Sequence, residues 1–126
     1  MISSQKILGA LRKRYPLPEW ASFSELRNGT GMNASRSIDF WAMNCYPSKG
    51  SLTVAVEVKV TRGDFIRELN NPVKREPAER YSREAYFAVP LGLVAVSELP
   101  EGWGLLEVGE SGVARTKLRA TQRRLE

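Results

Sequence analysis

At 126 residues the chain is long enough for one hydrophobic core and too short for two, so a single domain over 1–126 is expected. Hydrophobic residues make up 42% and charged residues 26%, which excludes a disordered chain, and no apolar run approaches the roughly 20 residues a membrane-spanning helix needs. A net charge of +5 and a pI near 9.7 point to a polyanionic partner, nucleic acid before a membrane surface, although roughly 2–8 charges also suit an ordinary solvated surface.

In chain order, residues 2–14 read as an amphipathic helix. Ile7, Leu8 and Leu11 supply its apolar stripe, Ser3 or Ser4 caps it, and Pro16 and Pro18 end it. A second short helix is expected over 18–27, with Pro18 in its first turn and Trp20, Phe23 and Leu26 along one edge. Asn28 to Gly31 breaks it, and residues 36–43 form a strand with Ile38, Phe40 and Ala42 on one face. A turn around Pro47, Ser48 and Gly50 leads into the most regular stretch of the chain, 54–60. There Val54, Val56, Val58 and Val60 alternate with Ala55, Glu57 and Lys59. Asp64, with Thr61 as the alternative, caps a helix that stops at Asn70-Asn71-Pro72. A charged helix interrupted at Pro77 follows over 73–83. Then come a buried strand at 85–89, a strand or helix start at 93–96, a strand at 103–108, a turn at Gly109 to Gly112 and a basic C-terminal strand. Such an order of elements is that of an α+β or three-layer α/β domain with a small mixed sheet.

The strands at 36–43 and 54–60 are close enough in sequence to form an antiparallel hairpin. With its centre near Ser48, position 39 stands opposite position 57. This register also brings Ile38, Phe40 and Ala42 onto the valine face, whereas a one-residue slip reverses the faces. Asp39 then joins Glu57 and Lys59 on the other face. Opposite side chains have Cβ atoms roughly 4.5–5.5 Å apart, and two carboxylates at 4 Å repel by about 4 kcal/mol at an effective dielectric of 20. Lys59 or a divalent cation must offset that repulsion.

The composition narrows the chemistry further. Cys45 is the one cysteine, so there is no internal disulfide, as suits a reducing cytosol. With no histidine, His-based triads, most zinc sites and imidazole bases are excluded. Two carboxylates, the carbonyl of Val58 and an adjacent lysine suit Mg²⁺ or Mn²⁺, which prefer oxygen ligands. A cation so held acidifies water and stabilises charge on a phosphodiester, with Lys59 orienting or deprotonating the attacking water or neutralising a phosphate oxygen. The bland reading of Glu57 and Lys59 is a solvent-exposed strand pair, worth at most about 1 kcal/mol.

Asp39 followed by Glu57-Val58-Lys59 resembles the PD-(D/E)XK nuclease superfamily, with Ile38 where the motif has proline. The run from Glu57 to Leu69, followed by Tyr86-Phe87-Ala88-Val89-Pro90, looks like its small MmcB-like DNA-repair and phage-type branch. The likeness covers roughly positions 25 to 108. It implies a restriction-endonuclease-like αβββαβ core and a Mg²⁺- or Mn²⁺-dependent deoxyribonuclease. Asp39, Glu57 and the Val58 carbonyl would be metal ligands, and Lys59 a catalytic residue. Glu25 would be an assisting acid on the helix before the first strand. The implied setting is a cytoplasmic, bacterial or phage-encoded protein without a membrane partner, acting on DNA as a homodimer where both strands are cut. Arg36, Arg62, Lys74, Arg75, Arg80 and Arg83 are the candidate phosphate contacts, and several equally suit a solvated helix face. A catalytically inactive DNA-binding module of the same fold and an unrelated basic domain that binds RNA or protein are the competing readings.

Overall fold

Ser3 starts the first helix, α1 (Ser4–Arg14), by accepting a hydrogen bond from the Lys6 backbone N–H at 3.1 Å. Its stripe of Ile7, Leu8 and Leu11 is buried against Phe40, Ala42, Val54 and Val56 of a sheet. The structure, a computed structural model, describes residues 2–27 and 37–124. Six strands form the sheet in chain order: β1 (Trp20–Arg27), β2 (Ser37–Asn44), β3 (Thr53–Val58), β4 (Glu84–Pro90), β5 (Gly104–Val108) and β6 (Ala114–Leu118). The pairs β1–β2, β2–β3 and β5–β6 are antiparallel, and β3–β4 and β4–β5 are parallel. The parallel step from β3 to β4 requires a crossover, provided by α2 (Arg62–Leu69) and α3 (Pro72–Tyr81). Phe65 of α2 and Ala78 of α3 are buried with Ala55, Phe87, Val89, Trp103 and Leu105 on the face of the sheet opposite α1. This is a mixed α/β fold in three layers, one helix on one face and two on the other. Among the described residues no helix is long and apolar enough to cross a membrane.

Several local expectations change. Residues 18–27 hold strand β1, not a helix. Two turns of helix are marginal alone, whereas pairing with β2 from Trp20↔Asn44 to Arg27↔Ser37 gives the segment a hydrogen-bonded ladder. In that pairing Phe23 faces Trp41 across the strands, rings 6.2 Å apart, as an aromatic cross-strand pair. Thr61, not Asp64, caps α2: its hydroxyl accepts from the Asp64 N–H, and Asp64 sits in the first turn. Helix α3 runs through Pro77 at the cost of one backbone hydrogen bond, with Pro77 and Ala78 buried. Residues 93–95 are neither strand nor helix, and Val96–Glu98 is a 3-10 turn. Ile38 lies in the core under α2 and α3, not on the valine face, because β2 leaves its regular pairing with β3 at Asp39.

Candidate active site

Strand β3 is buried on both faces, so the alternation that looked like inside and outside is an alternation between two cores. Val54 and Val56 face α1. Ala55 and Glu57 face α2 and α3. The register Phe40↔Val56 and Trp41↔Ala55, carried one step further, sets Asp39 across from Glu57, as the hydrophobic pattern predicts. At that step the ladder changes character. In the regular pattern the Val58 N–H goes to the carbonyl of Ile38; here Asp39 Oδ2 accepts it at 2.8 Å. The carboxylate thus replaces a main-chain acceptor and lets β2 part from β3. The next N–H, that of Lys59, donates to the Ala88 carbonyl on β4 at 3.1 Å. Across a planar trans peptide the N–H and C=O point in opposite directions, so the Val58 carbonyl is turned away from β4, toward the side of Asp39.

Glu57 is 1% exposed, and no N–H or hydroxyl group of the described residues donates to its carboxyl, whose hydrogen-bonding neighbour is the Asp39 carboxyl. Burial, followed by the charge of Asp39, pushes its pKa well above the ordinary carboxylate range. Lys59, 8% exposed, is pulled down by its own burial. Glu68, Asp39 and Glu57 outweigh that effect, so the net shift is upward and the side chain stays a cation at neutral pH. A solvent-exposed strand pair is therefore not what this fold builds.

Glu68 is the residue that sequence reasoning missed. It projects from α2 into the interior, and its carboxylate lies 3.1 Å from the Lys59 ammonium, 3.6 Å from that of Lys74 and 3.9 Å from the Arg75 guanidinium. The 3.1 Å approach to Lys59 is an ion pair between two largely buried side chains. A signal was present: Phe65 and Glu68 are the two buried positions of α2, three apart on one helix face, so an acid occupies a core position immediately after the Glu57-Val58-Lys59 run. Lys59, Glu68 and Lys74 line a cleft of about 310 Å³ with Asp64, Arg67 and Asn71, and there the buried cluster meets solvent.

The remaining expected residues divide. Glu25 lies on β1 rather than on a helix, exposed and with a left-handed backbone at φ 56°. The β1–β2 pairing passes from Ser24↔Phe40 to Leu26↔Ile38, which leaves Glu25 and Asp39 as facing positions outside the ladder. The charges acting on Glu57 are those of Asp39, Glu68 and Lys59, without Glu25. Arg36 lies outside the described residues. Arg62 is exposed near the cluster and grips Glu98 through two 2.8 Å hydrogen bonds, holding that carboxyl down to about 2. Lys74 is at the cleft. Arg75 is buried, its guanidinium donating to the Glu68 carbonyl, so it braces α2 against α3 and is not a surface phosphate contact. Arg80 pairs with Glu76 on the exposed side of α3 at 3.4 Å. Arg83 precedes β4, at the end of the sheet away from Lys59, bonded to the Gly50 and Arg123 carbonyls.

Among the described residues no three His, Cys, Asp or Glu side chains stand where they could share a metal ion. The oxygen donors facing one another at this end of β3 are the Asp39 and Glu57 side chains and one main-chain carbonyl, while the Glu68 carboxylate on α2 is taken up by Lys59, Lys74 and Arg75. Mg²⁺ fits so sparse a protein donor set because it retains several waters. The Glu57 carboxyl, which no N–H of the described residues serves, and the Asp39 carboxyl beside it meet the same requirement from the protein's side, since a cation replaces the proton that the two acids otherwise share.

No protein-family model matches the chain, and no curated protein does. Among solved structures, the SPO1766 protein of unknown function from Silicibacter pomeroyi is similar, at 19% identity and a TM-score of 0.72, over 100% of this chain and 77% of that one. At that identity the likeness shows a shared fold.

Proposed function

We propose that the protein is a Mg²⁺- or Mn²⁺-dependent deoxyribonuclease with a PD-(D/E)XK-type site made of Asp39, Glu57, Val58 and Lys59. The observation that carries this reading is the buried carboxyl of Glu57, set opposite Asp39 and two residues before a buried lysine. Two acids this close hold a proton between them at the cost of one charge, and a hard cation offsets both charges more completely than one lysine shared with Glu68. The fold supports the reading. Its sequence of one helix, three antiparallel strands, a helical crossover and a parallel strand matches the αβββαβ order of the restriction-endonuclease-like core.

In this reading Asp39, Glu57 and the Val58 carbonyl hold the cation, which when bound supplies Lewis-acid stabilisation of phosphate charge and acidification of water. Lys59 is a poor proton acceptor at neutral pH, since its neighbours hold it protonated. Its part is to orient the nucleophile and neutralise a phosphate oxygen. Glu68 fixes the Lys59 ammonium from α2. Lys74 stands where a DNA backbone entering the cleft meets positive charge, Arg62 is held by Glu98 outside the cleft lining, and Glu25 faces Asp39 from the neighbouring strand. A second copy is needed where both strands of a duplex are cut together.

The test is cleavage of duplex and single-stranded DNA in Mg²⁺, Mn²⁺ and EDTA. Asp39→Ala and Lys59→Ala are each expected to lower the cleavage rate by about 100-fold or more while the circular dichroism spectrum is unchanged. Cleavage that survives both substitutions, or DNA binding without any cleavage in Mn²⁺, sinks the enzyme reading and leaves a binding module.

A further inference from the structure

A second site lies on the α1 face of the sheet, at the other end of β3. Val54 lines it, four residues before Val58 and so about 13 Å away along the strand at about 3.3 Å per residue. It is a pocket of about 400 Å³, within the roughly 300–1,000 Å³ of small-molecule sites. Glu84, the first residue of β4, is buried in its wall. Glu84 Oε1 accepts from the Tyr86 hydroxyl at 3.1 Å and Oε2 from the Gln122 amide at 3.0 Å. Burial pushes the Tyr86 hydroxyl up to about 12, so it remains a donor at neutral pH. A carboxylate offers about four acceptor positions, and these two bonds fill half of them. The Arg119 guanidinium stands 3.9 Å from Oε2 on a side chain that is 75% exposed.

The other walls are aromatic. Tyr15 and Trp20 meet edge to face at 4.7 Å, with Tyr86 beside them in the lining. Arg14 is pinned at the rim, donating to the Tyr15 hydroxyl at 3.3 Å, the Ala114 carbonyl at 3.3 Å and the Thr116 hydroxyl at 2.5 Å. Three of its five N–H groups are then engaged and two are spare. Two guanidiniums against one carboxylate leave the pocket with an excess positive charge. The occupant must therefore be flat, carry N–H donors for Glu84, and end in an anion.

Among the nucleobases only guanine presents two adjacent N–H donors, N1–H and the N2 amine, to a single carboxylate. Adenine and cytosine set a donor beside an acceptor, and uracil and thymine place one N–H between two carbonyls. We propose that this pocket binds a guanine nucleotide, its base on Glu84 among the aromatic rings and its phosphate on Arg14 and Arg119. The ligand is either a free nucleotide or an unpaired guanine in a nucleic-acid strand. The site is independent of the carboxylate–lysine cluster and of the reaction proposed there.

Titration of the full chain with GMP and AMP, followed by calorimetry and by the indole N–H resonances, tests it. The expected result is GMP binding at least tenfold tighter than AMP, with the Trp20 indole shifting. Glu84→Gln replaces one acceptor by a donor and is expected to bring the two nucleotides within twofold. Arg119→Ala, on the surface, is expected to weaken GMP several-fold and leave guanosine unchanged. Equal affinity for GMP and AMP in the unmodified protein, or no binding at millimolar GMP, overturns the proposal. If Glu84→Gln does not fold, the Arg119→Ala comparison decides: equal loss for guanosine and GMP overturns it. A single-stranded oligonucleotide with one guanine and its adenine counterpart separate the two sources. Preference for the guanine strand over GMP identifies a strand ligand, and the reverse identifies a free nucleotide.

Discussion

Glu57 is a buried acid held beside a second acid, Asp39, and that has a measurable consequence. An acid whose pKa is raised on folding binds its proton more tightly in the native state. Its contribution is fully present below the ordinary glutamate pKa of about 4.3 and is lost as pH rises through the raised value. Metal-free protein is therefore expected to lose stability as pH rises above the ordinary glutamate range of about 4.3, and Glu57→Gln to flatten that slope. Urea midpoints across pH in EDTA read it directly, and identical slopes in the two proteins refute the assignment. Mn²⁺ is expected to restore the stability lost at higher pH in the unmodified protein only. In the proposed reaction Glu68 acts through Lys59, to which it is paired at 3.1 Å, as a positioning residue. Glu68→Gln removes the principal charge that raises Lys59, so the alkaline limb of the cleavage profile is expected to move to lower pH. Glu68→Ala also leaves three cations without their shared acid and is expected to cost about 3 kcal/mol in denaturant unfolding. An unshifted pH profile in Glu68→Gln removes Glu68 from the site.

At the scale of elements, β5 begins at Gly104 because nothing larger fits there. A Cβ on Gly104 would lie 2.4 Å from a Tyr86 ring carbon and 2.6 Å from both the Ala120 nitrogen and the Leu118 oxygen. Two of those three atoms are backbone and cannot turn aside. Gly104→Ala is expected to destabilise by about 3 kcal/mol through overpacking, read as a lowered thermal midpoint; a neutral effect shows that the β5–β6 junction yields. Strand β1 carries the clearest lesson about local sequence. Trp20, Phe23 and Leu26 recur at a helical spacing, yet the segment pairs with β2 along its length. Periodicity over eight residues is a weak signal beside a cross-strand ladder and the Phe23–Trp41 contact. The change moves Glu25 from the expected helix to an exposed strand position facing Asp39, which no helix at that point in the chain would do.

For the molecule as a whole, the proposed DNA binding is expected to weaken with salt, and the surface determines which of the chain's cations could take part. Lys74 lines the cleft, whereas Arg75 is spent on the Glu68 carbonyl. Lys74→Ala is expected to reduce the slope of log K against log salt by about one, equally for any DNA sequence. Arg75→Ala is expected to lower stability and leave the slope unchanged. The reverse pattern in binding isotherms between about 50 and 200 mM salt would move the DNA path away from the cleft.

The hairpin register was legible before any coordinates, because alternation of period two ties the pairing of Phe40 with Val56 to the facing of Asp39 and Glu57. The first helix, the stop at Asn70-Asn71-Pro72 and the buried strand around Phe87 were legible for a similar reason: caps, breakers and apolar runs act over a few residues. That Glu57 is sealed from water was not, since one strand cannot state what covers its second face; α2 and α3 do so from residues further along the chain. Glu68 reaches Lys59, and Glu84 comes to share a pocket with Trp20 and Arg119, through the packing of helix on sheet and of strand beside strand. Local sequence set the identity and spacing of the charges; their solvation and their neighbours were decided by contacts between distant segments.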